Sequence, residues 1–97
     1  NMSMEIAAAR LLTYKAATLC DEGVRCSAEA SHAKLFSSEM ALRVASNSVQ
    51  ILGGNGYMKE NEVERMMRDA QLGTIGGGTS EIQRLIIARE MVKRSMQ

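Results

Sequence analysis

Apolar residues return at three- and four-residue intervals along most of the chain, the spacing of one face of an α-helix. Met4, Ala8, Leu11 and Leu12 mark such a face, with Arg10, Tyr14 and Lys15 between them, and predict a helix over about residues 2–19. Asp21, Glu22 and Gly23 interrupt the pattern, and a glycine there can take the left-handed conformation that ends a helix. A second helix is predicted from near Ser27 to about Leu52. Ser27 suits its N-cap, and Glu29 falls in the first turn, where the helix dipole favours an acid. Ala33, Phe36, Met40 and Val44 form one apolar stripe, and Leu35, Leu42, Ala45, Val49 and Leu52 form another. A face that wide predicts contacts on more than one side. At 1.5 Å per residue the helix would run roughly 40 Å, long for so short a chain.

Gly53, Gly54 and Gly56 stop this helix. Asn61 opens a shorter one that ends near Leu72 and Gly73. Asn61 and Glu64 have the spacing of a capping box, in which each side chain satisfies the other's backbone amide. Gly76, Gly77 and Gly78 break the chain again, and a last helix follows over about residues 80–94. Ile82, Leu85, Ile86 and Val92 are its predicted buried face, and Arg84, Arg89, Lys93 and Arg94 lean towards its C-terminal half, as the dipole prefers. No strand pattern or internal repeat interrupts the helical periodicity, so the expected class is all-α.

Composition sharpens that expectation. Only 3% of the chain is aromatic, while 45% is hydrophobic and eight residues are Met. Such a core is aliphatic, and that mixture suits helix packing better than strand packing. With 97 residues the chain is read as one small domain, marginal by itself and expected to associate. A net charge of +1 argues against a nucleic-acid footprint or a polybasic membrane anchor. The apolar runs are far shorter than the roughly 20 residues that span a bilayer, and no signal-peptide pattern is read at the N-terminus.

Cys20 and Cys26 flank the first turn, and His32 is the one histidine. Three such side chains fall short of the roughly four ligands of a structural zinc site, so no metal is expected. A disulfide across the turn is geometrically open, but without secretion signals the thiols are expected to be free. His32 is read as a surface or packing residue.

Two glycine clusters carry the candidate chemistry. Gly76, Gly77, Gly78, Thr79 and Ser80 lead straight into a helix. One reading is a flexible turn with a Ser/Thr cap. The other is a cradle whose open backbone and helix-start amides meet an anion. No Gly-Lys-Ser/Thr follows, which excludes a Walker P-loop. Residues 50–57 have the same two readings: a helix C-cap, or a helix end that meets a polar ligand.

Taken in order, QILGGNGY (residues 50–57), VERMMRDA (63–70) and GTSEIQRLIIARE (78–90) closely resemble the C-terminal helical domain of acyl-CoA dehydrogenases, and residues 29–34 and 38–41 fit as well. The resemblance covers nearly the whole chain. It implies an antiparallel helical bundle, with residues 1–97 forming a C-terminal domain that lacks the first of its four helices. It also implies an FAD enzyme of fatty acid metabolism that oxidises the Cα–Cβ bond of an acyl-CoA thioester. A carboxylate base takes the α-proton, and hydride passes to the flavin. Electron-transfer flavoprotein would be the electron acceptor, and the subunit a homo-oligomer. The expected location is the cytoplasm, or the mitochondrial matrix in a eukaryote.

Residue by residue, Gln50, Ile51, Leu52, Gly53 and Gly54 match the stretch that touches the adenosine diphosphate half of FAD across a subunit interface. Thr79, Ser80 and Glu81 match the stretch that meets FAD at the start of the last helix, and Gly78 matches the glycine beside the acyl-CoA thioester. Gly77 occupies the position where many members carry the catalytic Glu. The resemblance therefore points to the subgroup whose base lies on the first bundle helix, or to an inactive paralogue. A non-catalytic helical module for oligomerisation or binding is the alternative. With one bundle helix absent, Met40, Leu42 and Val44 are expected to lie open.

Overall fold

The computed structural model describes residues 1–97 and contains helices and turns alone. The elements are α1 (Met2–Asp21), α2 (Ser27–Leu52), α3 (Gly54–Tyr57), α4 (Glu62–Gly73) and α5 (Ser80–Ser95). No helix is long and apolar enough to cross a membrane.

The organising element is α2. The backbones of α1, α4 and α5 each approach α2 and not one another. Side-chain pairing fixes the directions. Cys20 meets Cys26 at one end of the α1–α2 pair and Glu5 meets Arg43 near the other, so the two helices run antiparallel. The C-terminal end of α4 lies at Ser38, while Val63, Met66 and Ala70 face the stretch of α2 that holds Met40, Val44 and Ser48. Arg84 then pairs with Glu39 and Arg94 with Glu29. Thus α4 covers the C-terminal half of α2 and α5 covers its N-terminal half, both antiparallel to it, as one rod broken at the glycine loop. The result is an elongated antiparallel bundle of 54 × 22 × 21 Å. Its radius of gyration of 15.9 Å exceeds the about 12–13 Å of a compact domain of this length.

The helices start and stop close to the predicted positions, but their buried faces differ from expectation. The small core consists of Ala9, Ala16, Ala28, Ala33 and Met40. Alanines let helix axes approach closely, so α1 docks through Ala9 and Ala16 while Met4 and Leu11 stay 68% and 70% exposed. Met40 is buried, and Leu42 and Val44 are half-buried, because α1 and α4 flank that part of α2. Most of the open apolar surface lies on the outer helices instead, with Ile51 and Leu52 at the end of α2.

On α5 the expected inner face is turned outward except at half-buried Ile86. Ile82, Leu85 and Val92 are exposed, while Ser80, Gln83 and Glu90 are buried. Ion pairs explain this orientation. Arg94 donates to both carboxylate oxygens of buried Glu29, at 3.0 and 2.7 Å, and Arg25 donates to Glu90 at 2.8 Å. A buried carboxylate is tolerated only when paired. Arg94 holds the Glu29 carboxyl below the usual range, and Arg25 does the same for Glu90.

Three local expectations are also corrected. Cys20 and Cys26 form a disulfide, with Cα atoms 5.9 Å apart. The tight turn over residues 22–26 returns the chain so that the last turn of α1 faces the first of α2, which brings the sulfurs together. The N-cap of α2 is Cys26 rather than Ser27, and it makes no side-chain cap. The capping box at Asn61 and Glu64 does not form, because Asn61 donates its side-chain amide to the Asn55 carbonyl and Glu64 pairs with Arg68 at 2.8 Å. The glycine stop after α2 also contains an unexpected helical turn, α3, in which Gly56 is buried against α2.

Candidate functional site

The loop between α4 and α5 begins where the amides of Ile75 and Gly76 both donate to the Leu72 carbonyl, at 3.0 and 2.8 Å. It closes where the Ser80 amide donates to the Thr74 carbonyl at 3.1 Å. Between these points Gly77 and Gly78 have φ of 67° and 97°. This is the left-handed region that side-chain-bearing residues avoid, so the path of the loop depends on glycine. Thr79 caps α5 by accepting the Ile82 amide on its hydroxyl at 3.2 Å.

Two side chains hold the loop from below. Lys34 of α2 donates to the carbonyl of Gly73 at 2.6 Å and to that of Gly78 at 2.7 Å. Buried Gln83 of α5 turns its side-chain amide towards the carbonyls of Gly77 and Gly78, at 3.5 and 3.4 Å. With those carbonyls drawn inward, the amides of Gly77, Gly78, Thr79 and Glu81 have no acceptor within the chain. They sit at the positive end of the α5 dipole, an arrangement suited to phosphate or to a carbonyl oxygen gaining negative charge.

The predicted residues of this loop are placed unequally. Gly77 and Glu81 are exposed, and Gly78 and Thr79 are half-buried. Ser80 is buried, its hydroxyl has no partner, and its amide is already bonded to Thr74. An added Cβ at Gly77 would meet nothing within 4 Å, whereas at Gly78 it would lie 2.6 Å from Gln83 Nε2.

The other predicted stretch forms the corner at the C-terminal end of α2. Gln50, Ile51, Leu52, Gly53 and Gly54 are all exposed, Ile51 by 69%. The structure does not bring this corner and the loop together. Lys34 and Gln50 are separated by about 24 Å of helix at 1.5 Å per residue. A groove of about 420 Å³ between α1, α2 and α5, lined by Leu12, His32, Leu35, Phe36 and Ile87, is a third concave feature. No group of three or more His, Cys, Asp or Glu side chains is placed to hold a metal.

Lys34 and Gln83 were not singled out from the sequence. A signal for Lys34 was present: it interrupts an apolar stretch, and positions 30, 31, 37 and 38 offer no acid within helical reach. A lysine so placed must find its acceptors on another element.

Residues 1–92 match the family described as acyl-CoA dehydrogenase, C-terminal domain. The chain belongs to the acyl-CoA dehydrogenase family. It is 57% identical over 93 residues to a probable acyl-CoA dehydrogenase of Bacillus subtilis, YngJ, covering 96% of this chain and 24% of that protein. Butyryl-CoA dehydrogenase from Megasphaera elsdenii superposes with a TM-score of 0.91 at 42% identity, over 93% of this chain and 24% of that one. The FAD complex of PigA superposes with a TM-score of 0.90 at 29% identity, over 95% of this chain and 24% of that one. The chain thus spans about a quarter of the length of the relatives it matches.

Proposed function

We propose that this chain is the C-terminal domain of a flavin-dependent acyl-CoA dehydrogenase subunit that oxidises the Cα–Cβ bond of an acyl-CoA thioester. The observation that carries the reading is the loop over residues 74–79 and the first turn of α5, where the amides of Gly77, Gly78, Thr79 and Glu81 have no acceptor within the chain. In this reading Gly78 lies beside the thioester, and Thr79, Ser80 and Glu81 lie beside FAD. The contact at Ser80 would need its inward hydroxyl to turn. FAD supplies the hydride acceptor when bound. The chain supplies amide donors for oxygen atoms and a rigid helix start that positions them.

Gln50, Ile51, Leu52, Gly53 and Gly54 would meet the adenosine diphosphate half of a second FAD, held by a neighbouring copy. The separation of the corner from the loop along α2 supports two flavins rather than one. The exposed apolar residues of α1 and α5, among them Met4, Leu11, Ile82, Leu85 and Val92, support a homo-oligomer and a covering first bundle helix. Gly77 cannot accept a proton, so the base belongs on another element. Electron-transfer flavoprotein is the electron acceptor in this reading.

The test is anaerobic addition of acyl-CoA to the purified full-length subunit. Bleaching of the flavin absorbance supports the reading, while a subunit that holds FAD and does not bleach overturns it. A subunit without FAD that still assembles would favour the second reading, a non-catalytic oligomerisation module or inactive paralogue. Gly77, at the position where many members carry the base, favours that alternative. The 97-residue chain alone is expected to be colourless and to sediment as an oligomer.

A further inference from the structure

Most lysines of the chain extend into solvent, and an ammonium group drawn into a protein needs a reason. Lys34 makes no ion pair; its recorded bonds are the two to the carbonyls of Gly73 and Gly78. Those carbonyls lie at the two ends of the glycine loop. One ammonium group therefore ties the end of α4 and the start of α5 to the same point on α2. Charged donors make the stronger hydrogen bonds, and this one is half-shielded from water. Gln83 shares the Gly78 carbonyl with Lys34 and also reaches that of Gly77, and an added Cβ at Gly78 would strike it.

A peptide's carbonyl and the following amide point in opposite directions. Holding the Gly78 carbonyl inward against Lys34 therefore turns the Thr79 amide outward. Without the lysine, nothing else in the chain charges that side of the peptide, and two glycines with positive φ leave the loop free to rotate it.

We propose that Lys34 is a positioning residue: it fixes the orientation of the Gly78–Thr79 peptide and so aims the amides of the loop at the bound ligand, with Gln83 as its neutral second. The ligand part of this proposal rests on the acyl-CoA dehydrogenase reading above. In this proposal Lys34 acts through the loop, its ammonium group being engaged by the Gly73 and Gly78 carbonyls.

The test uses the full-length, FAD-loaded subunit and the variants Lys34→Met, Lys34→Arg and Gln83→Leu. Amide hydrogen exchange at the bonded loop amides of Ile75, Gly76 and Ser80 is read first, with α1 as the internal control for folding. Lys34→Met is expected to speed exchange in the loop by about tenfold and leave α1 unchanged. Gln83→Leu should do the same to a smaller degree, and Lys34→Arg should recover part of the protection. The rate of flavin reduction by acyl-CoA is read second. Lys34→Met should lower kcat by about tenfold with KM within about twofold, because the loop acts on the reacting group rather than on the rest of the acyl-CoA.

Unchanged loop exchange in both Lys34→Met and Gln83→Leu overturns the clamp. Faster loop exchange with unchanged kcat, in a subunit whose wild type bleaches with acyl-CoA, overturns the positioning role. A wild type that holds FAD and does not bleach overturns the functional reading instead, and the exchange measurement still decides the clamp. If Lys34→Met does not fold, as faster exchange throughout α1 would show, Gln83→Leu and Lys34→Arg carry the decision.

Discussion

The two glycine clusters look alike in the sequence and are held in opposite ways. The corner after α2 is exposed from Gln50 to Gly54, and the side-chain hydrogen bond nearest to it is the local one from Asn61 to the Asn55 carbonyl. It turns through backbone bonds of its own, such as Gly53 to Gln50 at 3.1 Å and Gly56 to Gly53 at 3.0 Å. Its one tight point is Gly56, where a Cβ would lie 2.5 Å from the Val49 carbonyl oxygen. The loop before α5 is instead gripped by side chains from α2 and α5. An open glycine leaves the surface of the corner bare. The loop uses glycine to adopt a backbone shape that other groups then lock. Glycine content alone does not distinguish the two roles; the presence of a distant polar side chain does.

Substitutions can sharpen or break this contrast. The largest effect is expected at Gly56→Ala. The new methyl meets backbone and the Leu52 side chain, neither of which yields cheaply, and overpacking of this kind costs about 1–3 kcal/mol. The helix propensity gained by replacing glycine offsets part of that. Urea unfolding should show a net loss of about 2 kcal/mol. No loss would mean that α3 is not packed on α2 as described.

The first turn is closed covalently and calibrates the other two. Replacing Cys20 and Cys26 together by Ser should lower stability by about 2 kcal/mol, the chain-entropy value for so short a loop. The same loss should appear when the unsubstituted protein is reduced. If reduction changes nothing, the turn is held by its backbone bonds and not by the disulfide.

Gly78→Ala should follow at about 1–2 kcal/mol, the usual cost of a side chain at positive φ, with displacement of Gln83 added to it. Gly54→Ala at the corner should stay within about 0.5 kcal/mol, because its φ is ordinary and no atom lies within 4 Å of the new methyl. Thermal melting of the pair measures the difference between a locked and an open glycine. Equal losses would remove the distinction drawn here.

The smallest expected effect is a pH dependence of the ground on which the loop stands. The carboxyls of Glu29 and Glu90 are held below their usual value near 4.5 by Arg94 and Arg25. Their folded pKa values lie below their unfolded ones, so the stabilisation is present above about pH 4.5 and is lost as pH falls through the folded values. Both pairs anchor α5. Acid should therefore release the end of α5 before the α1–α2 pair, and hydrogen exchange across pH 3–6 would show the order. In Glu29→Gln the acid dependence of α5 should weaken, while that of α1 stays as it was.

The sequence by itself determined where helices form and where they break. Apolar periodicity and glycine placement act over a few residues, so the limits of α1, α2, α4 and α5 were legible to within about two residues. The motifs at residues 50–57, 63–70 and 78–90 also placed the family, since they occur in order along one chain. Which face of each helix is buried was decided by tertiary structure. Hydrophobic periodicity pointed to Ile82, Leu85 and Val92 on α5, yet carboxylates on α2 and α5 drew the polar face inward through Arg94 and Arg25. Docking of α1 through alanines left Met4 and Leu11 outside for a similar reason: close approach favours the smallest side chains, not the most apolar. The pairing of Cys20 with Cys26 depended on the turn between them. The hold of Lys34 on the loop depended on contacts 39 and 44 residues away in the chain. Local pattern carries no information about such distant partners, because only the packed fold sets the distance between them.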